Sequence, residues 1–166
     1  MNDTETFSPL LPNETEEAAR QLLSKAADRG LKLATAESCT GGLLASLLTD
    51  VQGVAHTFDR GFITYSSEAK NEMLGIPMDV IERNDAVTYE VAIAMAEGAL
   101  ERSRANVAVA ITGFADAGVE PGLVHFACAR AGRTTAHREE HFGPDGRGAT
   151  RIKCMKTAIE MMTEML

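Results

Sequence analysis

Apolar residues recur along this chain at two spacings. Between residues 14 and 29, Ala18, Leu22, Leu23 and Ala26 fall near a 3.6-residue period and Gly30 stops the run, which predicts an amphipathic first helix. A short β-leaning run follows over 31–36, then the polar turn Thr35-Ala36-Glu37-Ser38-Cys39-Thr40-Gly41-Gly42, then a second helix through Leu48. Residues 62–65 read as a short strand behind Gly61. Ser66 caps a helix over 67–74, and Gly75 ends it before Pro77. A short helix over 78–83 and a longer one over 89–104, opened by Thr88, come next. The near-continuous small apolar run from Asn106 to Gly113 predicts a strand buried on both faces. After a loop over 114–122, residues 123–129 and 134–141 form a hairpin about Ala131-Gly132. A turn over 143–148 leads to a final helix over 150–166. Its stripe of Ile152, Met155, Ile159, Met162 and Leu166 reads as core packing. Helices and strands in this order predict an α/β fold, a three-layer α/β/α sandwich with a mixed sheet. Residues 1–13, with two prolines and little periodicity, are expected to be a flexible arm ahead of one domain over 14–166.

Composition narrows the function classes. A net charge of −8 argues against a general nucleic-acid surface and against nonspecific attraction to anionic membranes. It leaves room for a local basic pocket that takes one phosphate. The three cysteines, Cys39, Cys128 and Cys154, are odd in number and far apart, so neither a disulfide framework nor a C-x-x-C metal pair is visible. With no signal peptide and no spanning apolar run in this sequence, the cytoplasm is the default location.

The candidate chemistry centres on the octet. A strand, a tight turn and a helix start would set Ser38 beside backbone N–H groups, and two glycines would let a ligand approach closely. That suits a serine nucleophile with an oxyanion site, or an anion cradle. It equally suits a plain helix cap at Ser38 or Thr40. A serine needs a base. The histidines are poorly placed: His125 and His137 lie within strands, His141 at a strand end and His56 in a loop, where surface or packing roles are the commoner ones. A lysine can replace histidine when a dry pocket lowers its pKa. Lys70 follows Tyr65 on the next helix and is the attractive candidate, although a lysine on a short helix is usually solvated.

The octet 35–42, together with Arg60-Gly61-Phe62-Ile63-Thr64-Tyr65-Ser66-Ser67-Glu68-Ala69-Lys70 and Met73-Leu74-Gly75, resembles the CinA C-terminal domain family, whose stand-alone members are nicotinamide mononucleotide deamidases. The similarity runs from about residue 14 to the C-terminus and takes in Asp85-Ala86-Val87, the strand 107–113 and the Phe142…Arg147…Arg151 ending. The resemblance implies an α/β/α fold and hydrolysis of the nicotinamide carboxamide to the acid with release of ammonia, with neither metal nor cofactor required. Carried over by position, Ser38 is the nucleophile, Lys70 the general base, and Tyr65 orients or relays the proton. Thr40, Gly41 and Gly42 would supply backbone donors at the helix start, and Thr112 and Gly113 would meet the substrate. Arg147 and Arg151, four apart and on one helix face, would meet a phosphate or, equally, stand as an ordinary surface pair. The implied partner is a small pyridine nucleotide. Self-association is left open, with the last helix's stripe as one contributor.

One segment departs from the family pattern. After Thr112 the family usually reads Gly-Ile-Ala-Gly-Pro with further glycine and a Lys-Pro-Val-Gly stretch; here it is Gly113-Phe114-Ala115-Asp116-Ala117-Gly118-Val119-Glu120-Pro121-Gly122. Asp116 and Glu120 are expected to oppose a phosphate, which points to a less anionic amide as substrate. The competing readings are an altered or inactive family member that binds a nucleotide or a partner protein, and a domain that acts with a separate CinA-like partner domain.

Overall fold

The computed structural model describes residues 11–83 and 85–166. Strand β1 (Leu33–Glu37) lies between β2 (Phe58–Ile63) and β3 (Val107–Gly113), parallel to both. Strands β4 (Leu123–Arg130) and β5 (Ala136–His141) extend the sheet antiparallel, giving the order β2-β1-β3-β4-β5. Helices α1 (Asn13–Asp28), α2 (Leu43–Asp50) and α6 (Arg147–Met165) cover one face. Helices α3 (Ser67–Leu74), α4 (Met78–Arg83) and α5 (Tyr89–Glu101) cover the other. This is the expected three-layer α/β/α sandwich with a mixed sheet.

The two-residue period of the strands sorts side chains by size. Leu33, Val107, Val109, Ile111, Val124, Phe126 and Cys128 point to α1, α2 and α6. Ala34, Ala36, Ala108, Ala110, Ala127 and Ala129 point the other way. The alanine face lets α5, itself lined by Ala92, Ala96 and Ala99, lie close to the sheet. A Cβ built on Gly98 of α5 would sit 2.5 Å from the Leu74 carbonyl oxygen, so α3 and α5 touch backbone to backbone there. The methionine stripe of α6 is buried: Met155, Ile159, Met162 and Leu166 all belong to the core, with Ile152 packed against it.

Several boundaries differ from those expected. β2 begins four residues earlier and ends at Ile63, so Tyr65 lies beyond it, in the link to α3. The edge position explains the difference. Asp59 and Arg60 interrupt the apolar pattern, and the register shifts opposite Leu33/Ala34. The Asp59 carboxylate accepts from Arg60 Nε (2.8 Å) and the Arg104 amide (3.1 Å), so this charge belongs to a bulged edge. α6 starts at Arg147 instead of Thr150. Gly146, at φ 91°, makes the turn, and Gly148 sits inside the first helical turn, where its low helix propensity hides the start. The arm expected over 1–13 lies mostly outside the described residues. Within them, Leu11 is buried in the core, and Pro12 sits ahead of α1, which begins at Asn13.

Candidate active site

The three parallel strands end on the same side of the sheet, and the chain leaves β1 for β2 in one direction but reaches β3 in the other. Such a switch point opens a crevice beyond the strand ends. A pocket of about 290 Å3 lies there. Its lining includes Ser38 after β1, Tyr65 after β2, Thr112 and Gly113 at the end of β3, and Arg147 at the start of α6.

The turn that carries Ser38 is held from beneath by Glu37. This carboxylate is fully buried and accepts four hydrogen bonds: from Thr40 Oγ1 (2.7 Å) and the amides of Gly42 (3.2 Å), Leu44 (3.1 Å) and Ala45 (2.8 Å). It satisfies the first-turn donors of α2 that no intrahelical carbonyl can reach. Gly41 and Gly42 make the geometry possible. Both have positive φ, and a Cβ on Gly42 would meet Ile63 Cδ1 at 2.8 Å. Two of the backbone donors expected for substrate are therefore spent inside the protein: the Gly42 amide on Glu37, and the Gly41 amide on the Ser38 carbonyl (3.1 Å); Thr40 gives Glu37 its hydroxyl.

Above this turn Ser38 meets Lys70. Lys70 Nζ donates to Ser38 Oγ at 3.0 Å, to the Thr64 carbonyl at 2.9 Å and to the Tyr65 carbonyl at 3.4 Å. The expectation that a lysine on this short helix would be solvated fails, since Lys70 is only 2% exposed. Ser66 caps α3 by accepting from the Ala69 amide, and Thr64 bonds the Glu37 carbonyl, so the helix start carries Lys70 inward over the end of β1. Burial disfavours the ammonium and lowers the Lys70 pKa; the nearby Cys39 raises it by less.

The remaining expected residues divide. It is the Tyr65 carbonyl that reaches Lys70; the residue is 64% exposed, and its phenol pairs with Arg147 at the pocket mouth. Thr112 lines the pocket, but its hydroxyl donates to the Ala86 carbonyl (2.8 Å). This bond holds Ala86, a non-glycine residue at positive φ, against the pocket. Gly113 leaves room for the hairpin, since a Cβ there would lie 2.7 Å from the Leu123 carbonyl oxygen. Arg147 reaches the pocket, whereas Arg151 does not line it. Arg151 Nε donates to the Cys39 carbonyl (2.8 Å) and buttresses the serine turn. Cys39 is buried as expected, its thiol paired with that of Cys154 on α6.

Asp116 and Glu120 also part ways. Asp116 lines the pocket and takes both Nε (3.1 Å) and Nη2 (2.9 Å) of Arg147, which raises the Arg147 pKa. Glu120, expected to oppose a phosphate, instead accepts from His141 on β5 (2.6 Å) and stands outside the pocket lining. The histidines lie elsewhere. His125 on β4 and His137 on β5 stack on each other, His141 sits between Glu120 and Glu139, and His56 occupies a 3-10 turn before β2. Among the described residues no group of three or more His, Cys, Asp or Glu side chains could hold a metal ion, and no helix is long and apolar enough to cross a membrane.

The comparisons with known proteins agree with this geometry. The family model of the CinA C-terminal domain matches residues 15–166. The chain belongs to the CinA C-terminal domain family. It is 42% identical over 139 residues to the nicotinamide-nucleotide amidohydrolase PncC of Escherichia coli K12, covering 81% of this chain and 84% of that protein. Other CinA relatives are longer. The chain is 56% identical over 92 residues to a CinA-like protein of Akkermansia muciniphila, which spans 55% of the chain and only 22% of that protein. It likewise spans 31% of a relative from Symbiobacterium thermophilum. The CinA fold is shared with the competence/damage inducible protein CihA of Agrobacterium tumefaciens. The TM-score is 0.90 at 42% identity, over 93% of this chain and 96% of that one.

Proposed function

We propose that this chain hydrolyses the carboxamide of nicotinamide mononucleotide to nicotinic acid mononucleotide and ammonia. The observation that carries the reading is the buried contact between Lys70 Nζ and Ser38 Oγ, at 3.0 Å on the wall of the pocket. The likeness to a nicotinamide-nucleotide amidohydrolase over most of both chains supports the substrate class.

The pocket supplies the chemistry as follows. Neutral Lys70 keeps two N–H bonds, to the Thr64 and Tyr65 carbonyls, and turns its lone pair to the Ser38 hydroxyl. It takes the Ser38 proton as Oγ attacks the carboxamide carbon, and the carbonyl oxygen becomes an oxyanion. The resulting ammonium of Lys70 passes the proton to the amide nitrogen, the C–N bond breaks and ammonia leaves. An ester on Ser38 remains. Water, deprotonated by Lys70, attacks it; the acid departs and Ser38 regains its proton. Tyr65 and Arg147 supply polar contacts at the mouth. Gly41 and Gly42 are not among the oxyanion donors, because their amides bond inward.

The pH profile tests this assignment. Only the neutral amine accepts the proton, and burial pulls the Lys70 pKa below the ordinary lysine value. The rate constant kcat/KM for ammonia release should therefore rise with pH through one ionisation below that value, then level off. A profile that is flat across the neutral and alkaline range would overturn the lysine base. One observation favours a second reading, a domain that binds a nucleotide or partner without turnover: Asp116 already occupies the guanidinium that would greet a phosphate. A folded protein that binds the mononucleotide and releases no ammonia would establish it.

A further inference from the structure

The charges that line the pocket are few. Among the described residues, the charged side chains there are Lys70, Arg147 and Asp116. Lys70 is committed to Ser38 and two carbonyls, and it acts only once neutral. Arg147 is thus the one cation left for an anionic substrate, and Asp116 grips it in the two-pronged geometry that carboxylates and guanidinium groups favour. The pair ties the loop after β3 to the first turn of α6, and its side chains remain 47% and 36% exposed, open to an incoming ligand. A phosphomonoester carries about −1.5 to −2 charge at neutral pH. On reaching Arg147 it meets a guanidinium already neutralised and a carboxylate of its own sign.

We propose that Asp116 is a specificity-determining residue, which cancels the charge of Arg147 and so levels the pocket's preference between a phosphorylated pyridine nucleoside and the same nucleoside without phosphate. The inference rests on the amidohydrolase reading and adds the substrate class: wild-type protein accepts both forms and separates them weakly. Specificity is a difference between two affinities, and a like charge set against one ligand lowers that difference without any contact to the other. Glu120, the other acid of this loop, does not share the role because His141 holds it away from the pocket.

The test measures ammonia release from nicotinamide mononucleotide and from nicotinamide riboside, by wild-type protein and by Asp116→Asn. The quantity read is the ratio of the two kcat/KM values. In Asp116→Asn this ratio should rise about tenfold in favour of the nucleotide, as removal of one like charge near a phosphate requires. The change should lie in KM for the nucleotide, and it should shrink as salt is added. A ratio that stays put or falls overturns the proposal, the latter by showing that Asp116 positions Arg147 for phosphate. If wild-type protein turns over neither compound, the amidohydrolase reading fails separately. The same ratio is then read from calorimetric titration of both compounds into both proteins. A shift toward the nucleotide in Asp116→Asn still supports the role of Asp116; no shift, or no binding of either compound, overturns it.

Discussion

Lys70→Met should lower kcat/KM for ammonia release by roughly 10²–10⁴-fold, the usual contribution of a positioned general base. Methionine keeps the length and apolar stem of the side chain, so α3 still packs over the end of β1. What disappears is the nitrogen that lies 3.0 Å from Ser38 Oγ. The size of the loss should depend on pH in a definite direction. Wild-type activity grows as the buried ammonium gives up its proton, and the variant has no such ionisation, so the gap widens with pH until Lys70 is fully neutral. Circular dichroism and thermal unfolding of the variant separate lost chemistry from lost fold. A folded variant that stays within a factor of about ten of wild type at every pH would remove Lys70 from the role of base.

Glu37→Ala should destabilise the protein by about 3–5 kcal/mol, because several buried donors are left without an acceptor at once. Four donors lose their acceptor together: Thr40 Oγ1 and the amides of Gly42, Leu44 and Ala45. Water cannot easily replace it, because the carboxylate site is fully buried beneath the turn. For a chain of this size the melting temperature should fall by roughly 6–20 °C. Glu37→Gln separates charge from shape. Its carbonyl oxygen can serve the three donors on Oε2, but its NH2 then faces the Ala45 amide, so an intermediate loss of about 1–3 kcal/mol is expected. Denaturant unfolding of both variants reads these differences directly. An alanine variant as stable as wild type would show that the turn does not depend on Glu37.

The layered fold was legible because its signals are local. The near-continuous apolar run along 107–113 and the 3.6-residue periods of α1 and α6 need no knowledge of distant residues. The caps at Ser66 and Thr88 were equally local, each set by one side chain accepting from an amide three residues on. The first half of β2 is not legible because an edge strand tolerates Asp59 and Arg60, which break the apolar run. The site was legible in part. The residue pattern of the octet and of 60–70 pointed to Ser38 and Lys70 through family resemblance. Spacing alone favoured a solvated lysine, because the burial of Lys70 comes from a contact 32 residues away in sequence. Glu37 escaped notice although it closes a strand of otherwise uncharged, buried residues just before a helix start. An acid in that place has the next helix's amides as its nearest partners, and that signal was available. The pairing of Asp116 with Arg147 was not legible, since nothing in the order of residues says which cation a loop acid will meet after folding.

Ammonia release from nicotinamide mononucleotide, measured side by side for wild-type protein and Ser38→Ala, tests the central claim most directly. The account predicts steady turnover by wild type and a loss of roughly 10⁴-fold or more in the variant, as removal of an attacking nucleophile requires. Turnover that survives in a folded Ser38→Ala protein would contradict it, because the reacting atom would then have to lie elsewhere in the pocket.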